Sequence, residues 1–251
     1  MLERPYTLSI AGFDPSAGAG ILADIKCFEQ HQVYGFGICS ALTVQNDVDF
    51  IANDWLDAHA IINQITPLLT RFTIRSCKIG LIKDQNVLLE VITYLRSKLP
   101  LLKIIVDPIL KASAGYNFYN LQRGLSQFIP VLDQIDLITP NYDELLVLSG
   151  SGDAEVAAIT WAQYCPVLLK GGHNPDAPGT DLLFDQQIKT VFKPGVRKVY
   201  QKHGSGCVLS ASITANIALG YSLPESCERA KKYMEHFLNS NNTLLGYHSY
   251  D

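Results

Sequence analysis

The chain has 251 residues, 47% of them hydrophobic, and a formal net charge of −4. That length and apolar fraction suffice for a globular fold with a large buried core. The charge is dispersed without a basic run, which argues against nucleic acid or a membrane surface as a partner, so an anionic ligand would need locally organised positive charge.

The first residues, Met1-Leu2-Glu3-Arg4-Pro5, carry no apolar signal region, and no stretch approaches the length that spans a bilayer, so neither secretion nor membrane insertion is expected. Short apolar runs at 6–11, 37–42, 76–80, 102–106, 137–138 and 167–169 read as buried parallel strands. Between them, 21–32, 57–70, 86–98 and 153–164 place apolar residues at helical spacing, which predicts a βαβ succession. Residues 181–192, two short runs around Asp185-Gln186-Gln187, predict a hairpin at a sheet edge. Helical periodicity returns at 207–219 and 224–238, with Gly220-Tyr221-Ser222 as the stop between them. No linker, repeat or low-complexity segment divides 1–251, so a single domain is expected. The six cysteines, Cys27, Cys39, Cys77, Cys165, Cys207 and Cys227, form no C-x-x-C pair or zinc-like pattern, and reduced thiols in a cytoplasmic protein are expected.

Unusual polar residues fall just after these strands: Asp14, Gln45, Asp107-Pro108, Asn141 with Glu144, and Lys170-Gly171-Gly172-His173. In an open parallel sheet the loops at the carboxyl ends of the strands form the ligand crevice, so these residues should converge. Gly18-Ala19-Gly20-Ile21-Leu22-Ala23 satisfies the G-x-G-x-x-A dinucleotide pattern, but no acidic residue stands about 20 positions on, where that motif needs one. The glycines would still allow close approach of a flat ligand, with Asp14 and Asp24 as nearby acceptors, or they form only a tight turn.

No G-x-x-x-x-G-K-[ST] sequence occurs, so phosphate, if bound, is not held by a Walker loop. Gly204-Ser205-Gly206-Cys207 precedes the apolar run 208–218, where backbone N–H groups and the helix dipole would form an anion hole; an ordinary N-cap is the other reading. Cys207 in that first turn would have its thiolate favoured by the dipole, or would be inert packing; His203 is assigned no catalytic role. Asp107 and Glu144 suit magnesium, although Asn141-Tyr142-Asp143-Glu144 also reads as a capping box. Lys170 could reach an anion in the crevice, or could be a solvated strand-end lysine.

Together these pieces resemble the hydroxymethylpyrimidine/phosphomethylpyrimidine kinases of thiamine biosynthesis, within the ribokinase-like superfamily. The likeness runs nearly end to end. It includes Ser9-Ile10-Ala11-Gly12-Phe13-Asp14-Pro15-Ser16-Ala17-Gly18-Ala19-Gly20, Ala41-Leu42-Thr43-Val44-Gln45-Asn46 and Lys78-Ile79-Gly80-Leu81. It continues through Val106-Asp107-Pro108, Thr139-Pro140-Asn141, Lys170-Gly171-Gly172-His173 and His203-Gly204-Ser205-Gly206-Cys207.

The resemblance implies an α/β fold of three layers, a mostly parallel central sheet with helices on both faces. It implies ATP and Mg2+ as cofactors, a homodimer, and phosphorylation of 4-amino-5-hydroxymethyl-2-methylpyrimidine and then its monophosphate. Gln45 would read the ring, with Gly12, Ala19, Asp24, Leu81 and Ile109 around it. Cys207 and the N–H groups of Gly204, Ser205 and Gly206 would face the transferring group, Lys170 the ATP phosphates, and Asp107 and Glu144 the magnesium. The chain departs from the family at Ile109-Leu110-Lys111-Ala112-Ser113-Ala114-Gly115, where Ser113 holds the usual lysine position; this bears on the second phosphorylation. Leu81 stands where methionine is common, a volume-conserving exchange. A pyridoxal kinase and a pyrimidine-binding protein without catalysis are the alternative readings.

Overall fold

The computed structural model describes residues 3–110, 124–174, 176–196 and 198–249. β1 (Tyr6–Phe13), β2 (Tyr34–Gln45), β4 (Ile74–Ile79), β5 (Lys103–Val106), β6 (Leu137–Ile138) and β7 (Val167–Leu169) run parallel. β3 (Phe50–Trp55) adds antiparallel at one edge, and the hairpin β8 (Asp181–Asp185) and β9 (Ile188–Phe192) at the other. All belong to one sheet in the order β3-β2-β1-β4-β5-β6-β7-β8-β9.

Alternation along the strands builds a core on each face. Ile104 and Val106 point to one side, with Leu8, Ile10, Ile79 and Ile138, beneath α2 (Ala58–Leu69), α3 (Gln85–Lys98), α4 (Leu125–Leu132), α5 (Tyr142–Ser149) and α6 (Ala154–Trp161). Ile105, Leu137 and Leu168 point to the other, beneath α1 (Gly20–Gln30), α7 (Ser205–Ala218) and α8 (Leu223–Asn239). Asp57, Asp84 and Asp153 accept first-turn amides of α2, α3 and α6, which fixes where those helices begin.

Two placements govern the site. After β1 the chain lays β2 on one side and later β4 on the other, which makes a topological switch point at the carboxyl ends of β1 and β4. Backbone bonds from Gly80 to Ile10, Asp107 to Ile79, Thr139 to Val106 and Lys170 to Pro140 carry the ladder past the strand ends, so the following residues stand side by side. α7 lies across β1, β4 and β5. It is buried on nearly all sides, and its small residues Ser210, Ala211, Ser212 and Ala215 admit close packing.

The structure departs from the sequence expectations in three places. β2 extends to Gln45, which is therefore the last strand residue and does not follow the strand. β3 was not anticipated, because an edge strand exposed along much of its length and carrying Asn53 and Asp54 lacks a strand's apolar signature. α4, entered from Gly124 and containing Pro130, was not anticipated either.

Candidate active site

Two glycine turns meet at the switch point. Gly20 opens α1 at φ +60°, and a Cβ there would fall on the Gly12 carbonyl oxygen. Gly204, the N-cap of α7 at φ +70°, stands so close to the first turn that a Cβ would meet the Gly18 carbonyl and Ala19. Asp14 pins the first turn, accepting from Ser16 N at 2.8 Å, Ser16 Oγ at 2.9 Å and Ala19 N at 2.9 Å. It also pairs with His203 Nε2 at 2.9 Å across to the second turn. Burial opposes the charge on Asp14, but the bonds from His203 and Ser16 prevail and hold its carboxyl below the usual range. His203 is thus a clamp between the turns, a role no local pattern in the sequence announces.

Lys170 is buried at the start of the next loop. Its Nζ lies 2.7 Å from Asp107 Oδ1 and 3.6 Å from Glu144 Oε2. A Cβ built on Gly206 would sit 3.4 Å from the same Nζ, so the ammonium faces the first turn of α7. Burial would lower the lysine pKa; the Asp107 and Glu144 charges outweigh it and raise it, leaving a permanent cation. Asp107 is fully buried and also accepts from Thr139 Oγ1 at 3.1 Å and Ser210 Oγ at 2.9 Å. The capping box exists, with Glu144 N to Asn141 Oδ1 at 2.8 Å and Asn141 N to Glu144 Oε2 at 2.7 Å. Glu144 therefore caps α5 and faces Lys170 at once, and the two sequence readings do not compete.

Cys207 is 8% exposed in the first turn of α7. Its thiol corrects the expectation from the helix dipole. Burial raises its pKa, Asp107 and Asp24 push the same way, and the opposing Lys78 charge and Gly20 N–H do not compensate.

Of the residues expected to surround a ring, Gly12 and Leu81 are neighbours. A Cβ on Gly12 would stand 2.9 Å from Leu81 and 3.4 Å from Thr43, so the three pack against one another. Gln45 Nε2 donates to Thr43 Oγ1 at 2.9 Å, and Ser40 Oγ holds the Leu81 carbonyl. Ile109 lies 3.5 Å from the corresponding point on Gly80, and Ala19 abuts Gly204. Asp24 does not join them. It is wholly buried on α1 against Ser9 and Lys78, because a carboxylate facing the sheet can escape water only when paired. Lys111 and Ser113 lie outside the described residues.

With this sheet order the chain takes the ribokinase-like fold of small-molecule kinases. A model of the phosphomethylpyrimidine kinase family matches residues 14–250. The chain belongs to that family. It is 31% identical to the hydroxymethylpyrimidine/phosphomethylpyrimidine kinase of Rhizobium meliloti over 94% of this chain and 91% of the relative. The crystal structure of phosphomethylpyrimidine kinase from Clostridium difficile superposes with a TM-score of 0.76 at 31% identity, covering 92% of this chain and 98% of that one. A pyridoxal kinase from Staphylococcus aureus, solved with ADP, shares the fold at a TM-score of 0.81 and 24% identity, over 95% of this chain and 89% of that one.

Proposed function

We propose that the protein transfers the γ-phosphoryl group of ATP to the hydroxymethyl group of 4-amino-5-hydroxymethyl-2-methylpyrimidine, a step of thiamine biosynthesis. The observation that carries this reading is the approach of the Lys170 ammonium to the first turn of α7, next to the glycine turn that packs on Gly12. Gln45 at the end of β2 reads the ring, and Leu81 and Ile109 cover its apolar parts. The first α7 amides and Lys170 hold the phosphoryl oxygens. Phosphoryl transfer depends chiefly on such positioning and charge stabilisation. The alcohol oxygen bonds to the γ-phosphorus as the bond to ADP breaks, and the hydroxyl proton passes to Cys207 in its thiolate form.

Among the described residues no three side chains gather as metal ligands, and the oxygens of Asp107 are engaged by Lys170, Thr139 and Ser210. Asp107 and Glu144 therefore fit magnesium held through its waters and the ATP phosphates, as that ion prefers. When bound, it neutralises phosphate charge. Among the described residues no helix is long and apolar enough to cross a membrane, and we place the protein in the cytoplasm. We further infer a homodimer; the exposed Leu42, Val44, Val48 and Ile51 of the β2–β3 hairpin supply an apolar face for it, and sedimentation as a monomer would remove that inference.

Replacement of Cys207 by Ala tests the chemistry. The parent kcat should climb with pH above neutrality as the thiolate fraction grows, and the variant should lose most of kcat with little change in KM. An unchanged kcat removes the cysteine from the mechanism.

A further inference from the structure

A lysine and an aspartate lie wholly out of water beneath the start of α7. Lys78 on β4 and Asp24 on α1 both have fully buried side chains, with Nζ 2.5 Å from Oδ1. Ser9 Oγ donates to the second Asp24 oxygen at 2.5 Å. The third contact concerns the reaction, for Lys78 Nζ also donates to the Cys207 carbonyl oxygen at 3.2 Å. A buried pair is a poor source of stability, because desolvating both ions offsets much of their attraction, and apolar residues of like volume commonly do as well. Lys78 belongs to the Lys78-Ile79-Gly80-Leu81 stretch, of which the ring site uses only the last residues.

We propose that Lys78 and Asp24 are positioning residues for the phosphoryl-transfer turn, the lysine fixing the first turn of α7 through the Cys207 carbonyl and keeping a permanent positive charge beside the thiol. This rests on the reading of Cys207 as the proton acceptor. Charged groups reach the thiol from four elements: Lys78 from β4, Asp24 from α1, Asp107 after β5 and Lys170 after β7. Burial, Asp107 and Asp24 all disfavour the thiolate, and Lys78 is the principal charge that favours it. Burial would lower the pKa of Lys78 as well, yet Asp24 foremost, with Cys207 and Asp107, raises it to about 12, so the ammonium stays charged.

The test follows alkylation of Cys207 by iodoacetamide between pH 7 and 10 in the full chain, read peptide by peptide because there are six cysteines. Only the thiolate reacts, so Lys78→Met should slow alkylation at pH 8 by about tenfold, the equivalent of one pH unit. Asp24→Asn removes the opposing negative charge and should leave the profile in place or move it to lower pH. A pair serving stability alone would move both variants together. A Lys78→Met profile that superimposes on the parent, or equal upward shifts in both variants, overturns the proposal. Should Lys78→Met prove insoluble, Lys78→Met/Asp24→Leu carries no unpaired charge and is expected to show a smaller upward shift, because loss of the Asp24 charge offsets part of the loss of Lys78; no upward shift is equally fatal. Alkylation needs no turnover, so a Cys207→Ala enzyme with full kcat would end the catalytic reading of the cysteine while leaving the effect of Lys78 on the thiol measurable.

Discussion

Lys170→Met keeps the volume of the side chain and removes its charge from between two carboxylates at 2.7 and 3.6 Å. Asp107 retains its bonds from Thr139 and Ser210, yet it is fully buried and loses its salt bridge to Lys170. Removing one partner of a buried pair costs about 3–5 kcal/mol. For a chain of this size that corresponds to a fall in Tm of roughly 6–20 °C. The cost falls on carboxylates left buried without their cation. Thermal melts at pH 7.5, with ATP titrations of each variant, measure both consequences. Lys170→Met/Asp107→Asn should recover most of the lost stability at pH 7.5 and none of the ATP use, because the phosphates still lack their cation. A single variant that melts with the parent at pH 7.5, or a double variant that regains ATP use, refutes the reasoning.

Gly204→Ala forces a left-handed residue, at about 1–2 kcal/mol, and drives its Cβ into the Gly18 carbonyl. With the α7 amides displaced, kcat should fall on the order of 100-fold, the usual effect of losing one such donor; full kcat would show that the turn is only a cap. His31 is buried, and burial, with the Arg229 and His248 charges, lowers its pKa from 6.5 to about 4. The unfolded chain then binds the extra proton between those values, so His31 should cost the fold roughly 3 kcal/mol as pH drops from 6.5 through 4, at 1.36 kcal/mol per unit. Urea midpoints of the parent and His31→Gln over that range should diverge accordingly; parallel curves contradict it. Ser113→Lys should raise kcat/KM for the pyrimidine monophosphate with little change for the alcohol, and equal effects on both would show that the position does not contact the second phosphate.

Periodicity made the parallel strands, the edge hairpin and the two final helices legible, since alternating burial leaves its mark on local composition. The grouping of Asp107, Glu144 and Lys170 beside the first turn of α7 followed from their places after strands and from resemblance. What stayed hidden depends on partners distant in sequence. β3 exists because β2 offers it an edge, not because its own residues demand a strand. Asp24 looked like a ligand-facing acceptor, but its partner Lys78 lies 54 positions away and draws it into the core. The His203 to Asp14 clamp spans 189 positions. The direction of the Cys207 shift was also out of reach, because a helix dipole can be expected from a cap sequence, whereas the burial that overrides it belongs to the packed site.

The central claim is the identity of the phosphate acceptor. Purified protein given Mg-ATP with an equimolar mixture of 4-amino-5-hydroxymethyl-2-methylpyrimidine and pyridoxal, with products followed by 31P NMR, tests it most directly. The account predicts that the pyrimidine monophosphate appears first and predominates. Pyridoxal phosphate as the main product, or ring binding without any phosphoryl transfer, would contradict it.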